Sequence, residues 1–406
     1  MNEFIRKDLY DSLWNNLRGK TNLIQAVVGP RQVGKTTLAL QIFDHWKGVK
    51  IFESADAPDT PSVDWIRLVW ERARQELNGR KAQGLLIIDE IQKIPRWSEA
   101  VKALFDHDKR KKIPLRVVLL GSSALLVHKG LTESLAGRFE LHQHAQWSFE
   151  ECRTCFGVTL DEYIYFGGYP GALAMRHDEK RWRNFFRGSL IETVLSKDVL
   201  LMATVTKPAL LRQTFGLAVA SPAQIISYQK MVGSLQDAGN TTTIATYIGL
   251  LSKAFLMINL ERLSGAAIRQ RGSIPKIVIL DNGLISAMSG LDHKTARKDQ
   301  VHWGRCIENL VGARLYYLAE QLGGQLFYWR DRQFEVDYVL KIGKKIIGIE
   351  VKTNVDKAPA SFNEFARKFR PEKVVTVYYR IGAKQIEGDS LVSLEQFLLD
   401  PGAVLG

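Results

Sequence analysis

The string GPRQVGKTT at residues 29–37 constrains this chain more than any other part of its 406 residues. Gly29 and Gly34 bracket a loop whose successive N–H groups turn inward, because glycine tolerates backbone angles that other residues avoid. QAVVG before the loop reads as a strand and TLALQIF after it as a helix, with the helix's positive end facing whatever the loop holds. A strand, a glycine loop and a helix in that order make a P-loop cradle for phosphate, formed by Gly29, Pro30, Arg31, Gln32, Val33, Gly34, Lys35, Thr36 and Thr37. Lys35 is expected to reach the β and γ phosphates, and Thr36 to place its hydroxyl on Mg2+.

A second apolar run, GLLII, ends in Asp89 and Glu90, so a buried strand delivers two carboxylates to its C-terminal tip, where open α/β sheets bind ligands. Asp89 is expected in the Mg2+ shell and Glu90 is placed to orient the attacking water. The strand LRVVLLG ends at Ser122 and Ser123, where Ser122 is a candidate sensor of the γ phosphate and an ordinary cap is the alternative. Arg138 in LAGRFE is a candidate arginine finger, acting within the chain or on a neighbouring copy, which leaves a homo-oligomer open. There is no NKxD string to read guanine, so the expected nucleotide is ATP.

The strings GPRQVGKTT, IIDEIQKIPRW, LLGSSALL, LAGRFE and GGYPG together resemble the AAA-type ATPases of bacteria and archaea that end in a domain of unknown function. The likeness extends over nearly the whole chain. It implies an AAA-type ATPase fold and supports the roles of Lys35, Asp89, Glu90 and Arg138. One departure is the stretch LHQHAQWSFEE, where that family leads to expect Pro-Leu before the serine.

The fold class expected is α/β, in three parts. Residues 1–155 alternate short apolar strands with helices, as a parallel sheet with crossover helices does. Residues 156–290 read as a helical lid and a winged-helix region, and residues 291–406 as a second α/β domain. In the middle part, IISYQKMVGSLQDAGNTTTIATYIGLL reads as helix, turn and helix, with Ile244, Tyr247, Leu250 and Leu251 on one apolar face. RLSGAAIRQRGSIPK then carries Arg262, Arg269, Arg271 and Lys276, a basic wing suited to phosphate contacts. The net charge of +13 points the same way, toward nucleic acid and DNA before RNA, with a docking or lid role as the alternative.

In KIIGIEVK, period-two alternation puts Glu350 and Lys352 on one strand face, and Asp337 in FEVDYVL stands one hairpin earlier. This D…ExK pattern resembles the core of PD-(D/E)xK nucleases, and Glu308 on the preceding helix matches the additional helical acid of that superfamily. The resemblance implies Asp337 and Glu350 as Mg2+ ligands and Lys352 as a transition-state cation; the bland alternative is a solvated charge ladder on a sheet. His142, His144, Cys152 and Cys155 can be drawn as a zinc set, but their spacing forms no finger or ribbon, and we decline it. Three cysteines make no disulfide framework, no apolar run approaches the roughly 20 residues that cross a bilayer, and MNEFIRKDLY lacks a signal-peptide core. A cytoplasmic protein is expected. The functional reading is an ATP-hydrolysing protein that acts on DNA through the winged helix and the nuclease-like domain; a nucleotide-driven switch that binds DNA or a protein and cuts nothing is the alternative.

Overall fold

Strands that are covered by helices on both faces read as unbroken apolar runs, and three such runs build the first sheet. β1 (Ile24–Val28), β3 (Gly84–Asp89) and β4 (Leu115–Gly121) are buried at every position. β2 (Lys50–Ser54) and β5 (Phe139–Gln143), with mixed exposure, form the edges of the order β2-β3-β4-β1-β5. All its pairings are parallel. This is a computed structural model, and it describes residues 4–56, 61–78, 82–121, 134–202, 205–235, 240–264, 274–355, 361–381 and 391–405.

The chain divides into two compact units, residues 1–145 and 146–406, where the sequence reading drew three parts. Within the second unit the middle segment and the C-terminal segment share one buried network. Asn309, fully buried on the helix Gln300–Gln321, exchanges hydrogen bonds of 2.8 Å with both main-chain groups of Ile279 and donates to Asn282 Oδ1 at 2.9 Å. Asn282 in turn donates to the carbonyls of Ile164 and Cys306. Each amide has its partners, so the two segments cannot part without orphaning buried polar groups.

The middle segment holds the helices Tyr228–Ser234 and Thr241–Lys253, the second capped by Asn240. Ile244, Tyr247, Leu250 and Leu251 are buried as their spacing predicts. An antiparallel pair follows, β6 (Met257–Leu260) and β7 (Lys276–Ile279). Arg269 and Arg271 lie outside the described residues.

The last sheet runs β12-β11-β10-β9-β8, from β8 (Gln325–Asp331), β9 (Phe334–Ile342), β10 (Lys345–Val355), β11 (Lys373–Ile381) and β12 (Leu391–Ser393). β8, β9 and β10 form an antiparallel meander, and β10, β11 and β12 run parallel. Among the described residues no helix is long and apolar enough to cross a membrane.

The candidate nucleotide site and the C-terminal carboxylate cluster

At the C-terminal end of β1 the chain turns through the loop and enters the helix Lys35–His45. Gly34 caps that helix with φ of 95°, a left-handed angle where a side chain is strained. Gly29 is required for a different reason, since a Cβ there would collide with the carbonyl oxygen of His144. The His144 amide bonds to Val28 O at 2.7 Å, and its fully buried ring donates through Nε2 to Val33 O at 3.1 Å. Burial, with Arg6 and Lys35 nearby, holds this imidazole well below its ordinary pKa, so it braces the loop as a neutral ring. This role of His144, outside the declined zinc set, is not legible in the string because Val33 lies 111 positions away.

Lys35 is 7% exposed and its ammonium donates to the carbonyls of Gly29 at 3.0 Å and Pro30 at 2.6 Å. The Thr36 hydroxyl donates to Asp89 Oδ2 at 2.7 Å, which brings together two side chains 53 positions apart. Asp89 Oδ1 accepts the amide of Glu90 at 2.8 Å. Glu90 itself sits at φ of 53° and accepts a hydrogen bond from Gln92 at 2.5 Å. A left-handed glutamate is uncommon and costs of order 1 kcal/mol, the kind of backbone strain that concentrates at functional sites. Lys35, Thr36, Asp89 and Glu90 therefore converge at one end of the sheet, and a hydroxyl beside a carboxylate is a donor set that suits Mg2+.

Arg138 is elsewhere. Ile24 N bonds to Arg138 O, so the arginine stands at the N-terminal end of β1, while the loop follows the C-terminal end. Five strand residues separate those ends by roughly 16 Å. Its guanidinium makes a two-point pair with Asp106, at 2.7 and 3.0 Å, and that pair holds the Asp106 carboxyl below its usual range. Of the two readings of Arg138, within the chain or on a neighbour, this geometry does not bring the guanidinium to the chain's own loop. Ser122 lies outside the described residues.

In the second unit, register sets Asp337 of β9 beside Glu350 of β10, since the pair Tyr338–Ile349 is next along the ladder. Asp337 Oδ2 accepts the amide of Val351 at 2.8 Å, and Lys352 Nζ lies 2.7 Å from Glu350 Oε1. A lysine that the sequence reading assigned to the wing completes the group. Lys276 is wholly buried, with Nζ 2.6 Å from Glu308 Oε1, 3.5 Å from Asp337 Oδ1 and 3.7 Å from Glu335 Oε1. The wing reading of Lys276 is corrected: these acids draw its ammonium inward, away from any phosphate contact. Burial alone lowers the pKa of this lysine, but Glu308 and Asp337 outweigh it and raise the ammonium well above its ordinary value. Burial, then the charge of Asp337, pushes both Glu308 and Glu350 up to about 7. Among the described residues no group of three or more His, Cys, Asp or Glu is arranged to hold a metal ion. Lys276 Nζ, 3.5 Å from Asp337 Oδ1, stands among the carboxylates on which Mg2+ is expected.

Residues 21–153 match the model of the AAA domain, and residues 158–295 and 303–397 match two domains of unknown function, DUF8612 and DUF4143. The uncharacterized proteins Rv2008c of Mycobacterium tuberculosis and Mb2031c of Mycobacterium bovis are each 30% identical over 330 residues, which is 80% of this chain and 69% of theirs. The chain belongs to the family of these mycobacterial proteins. MJ1544 of Methanocaldococcus jannaschii is 22% identical over 395 residues, covering 92% of this chain and 85% of its own. Among solved structures, the Orc1 protein of Aeropyrum pernix in complex with DNA is similar at a TM-score of 0.31, with 11% identity, over 70% of this chain and 92% of that one. AMPPCP-bound DnaA from Aquifex aeolicus is similar at 0.32, with 14% identity, over 62% and 90%.

This family member thus carries an AAA-type P-loop domain on a parallel α/β sheet. The GGYPG string is accounted for by packing in the second unit. A Cβ on Gly167 would collide with Asp281, whose carboxylate accepts the amides of Gly168 at 2.7 Å and Gly283 at 2.9 Å.

Proposed function

We propose that the protein binds ATP with Mg2+ at residues 29–37, hydrolyses it, and uses its nucleotide state to switch a contact with nucleic acid, itself cutting nothing. The observation that carries the first part is the 2.7 Å bond from Thr36 to Asp89 beside a buried Lys35 seated on loop carbonyls. Lys35 exchanges those carbonyls for phosphate oxygens, Thr36 and Asp89 hold Mg2+, and Glu90 orients the water. Bound Mg2+ would neutralise charge on the phosphates. Arg138 is then a finger for a neighbouring copy, which implies a homo-oligomer. A cytoplasmic location suits this reading.

The test separates binding from turnover. Lys35→Ala should lose ATP affinity, whereas Glu90→Gln should bind ATP as wild type does and turn it over slower by about 100-fold or more. Wild-type turnover in Glu90→Gln would remove Glu90 from the mechanism.

The nucleic-acid part is supported by the net charge of +13. If phosphates are contacted, binding should weaken steeply with salt, and neutralising Arg269 and Arg271 together should flatten the salt slope by about two units. Absence of any DNA or RNA binding at low salt would favour a protein partner.

A nuclease is the second reading, favoured by Asp337 beside Glu350 and by Lys352 on Glu350. It predicts Mg2+-dependent cleavage of plasmid or single-stranded DNA that Glu350→Ala abolishes. The position of Lys276 supports the reading without cleavage.

A further inference from the structure

Lys276 reaches the cluster from a strand whose depth is fixed. β7 is held by main-chain bonds from Ile226 N to Pro275 O at 3.1 Å and from Ile277 N to Gln224 O at 3.0 Å. Two residues further on, Asn309 clamps Ile279, and Asn309 sits one position after Glu308 on the same helix. The clamp and the carboxylate therefore come from one rigid element, which sets the distance between Lys276 and Glu308.

The ammonium donates to the carbonyl of Asp337 at 3.2 Å and pairs with Glu308 Oε1, Asp337 Oδ1 and Glu335 Oε1 at the distances above. The ring of Tyr338 lies 4.8 Å from Nζ and adds its negative face. Four acids, Glu308, Glu335, Asp337 and Glu350, thus share two lysines, Lys276 and Lys352. Carboxylates gathered in low dielectric repel one another unless a cation stands among them. Glu350 is 6% exposed, and its second oxygen, Oε2, is buried with no hydrogen-bond partner, so the cluster retains an acceptor that its present cations do not use.

A hard divalent cation would take carboxylate oxygens at about 2.0–2.6 Å, in the space where Nζ now lies. We infer that Lys276 is the resident cation of this cluster, tethered through β7, and that Glu308, Asp337 and Glu350 become a divalent-cation site only when its ammonium is taken away. The site is distinct from the P-loop and its test needs no nucleotide.

The experiment uses the full chain without nucleotide. Lys276→Met keeps much of the side-chain volume and removes the charge. In EDTA it should melt below wild type, and millimolar Mn2+ should restore most of the loss, while wild type shows no Mn2+ shift. Mn2+ affinity read by electron paramagnetic resonance should rise by about tenfold or more over wild type. The gain should vanish in Lys276→Met/Asp337→Asn. A soluble Lys276→Met that neither binds Mn2+ nor is stabilised by it overturns the inference. Should Lys276→Met fail to fold, lysine acylation read by mass spectrometry decides on wild type. Lys276 should stay unmodified with or without Mn2+, and modification that Mn2+ promotes would show a metal displacing the lysine in the native chain.

Discussion

Two buried lysines, Lys35 and Lys276, sit beside strand-borne carboxylates in different units and stand in opposite electrostatic situations. The Lys35 ammonium rests on main-chain carbonyls of its own loop, and the nearby acid, Asp89, is engaged by a hydroxyl and an amide. The Lys276 ammonium is enclosed by carboxylates. Carbonyl dipoles are readily exchanged for phosphate oxygens, whereas a desolvated ion pair resists separation because either charge left alone in the interior is costly. On the proposed reading, the same residue type serves a ligand in one unit and completes the fold in the other.

The same substitution made at both places should break that comparison if it is wrong. Asp89→Asn should slow ATP turnover by about 100-fold while leaving stability within about 1 kcal/mol. Glu308→Gln removes the closest partner of Lys276 and should cost about 2 kcal/mol, read by urea unfolding, with ATP turnover per folded chain unchanged. Glu308 is 25% exposed, which keeps that figure below the 3–5 kcal/mol of a fully buried pair. If Glu308→Gln were as stable as wild type, Lys276 would not depend on its acids.

What the sequence made legible was mostly local. The loop at 29–37, the strand that ends in Asp89 and the alternation that puts Glu350 with Lys352 all lie within short windows, where backbone periodicity decides which way a side chain faces. The buried face of the helix Thr241–Lys253 was legible for the same reason. His144 and Lys276 were not, because their roles depend on tertiary neighbours: Val33 lies 111 positions from His144, and Asp337 lies 61 from Lys276. Lys276 was counted with Arg262, Arg269 and Arg271 because charge runs suggest a solvated face, and only the pairing of β7 reverses that. Whether Arg138 acts within the chain or on a neighbour was not legible either, because a string does not say at which end of a strand it falls.

Asp281 supplies a smaller, third case, an acid buried on backbone amides. Burial raises its carboxyl from 3.8 to about 7, against the two N–H groups that favour its charge. The folded chain thus keeps a proton that the unfolded chain releases, so the contribution of Asp281 to stability is greatest below about pH 4 and is lost as pH rises through about 7. Asp281→Asn should be destabilising, with a penalty that shrinks between about pH 5 and about pH 8. A penalty that grows over that range would mean the carboxylate is charged in the fold.

The contrast between the two lysines is tested most directly by counting Mn2+ on the wild-type chain by electron paramagnetic resonance, with and without a non-hydrolysable ATP analogue. The account predicts no bound Mn2+ without nucleotide and a single bound ion with it, lost in Asp89→Asn and retained in Asp337→Asn. Stoichiometric Mn2+ on the nucleotide-free chain, abolished by Asp337→Asn, would contradict it.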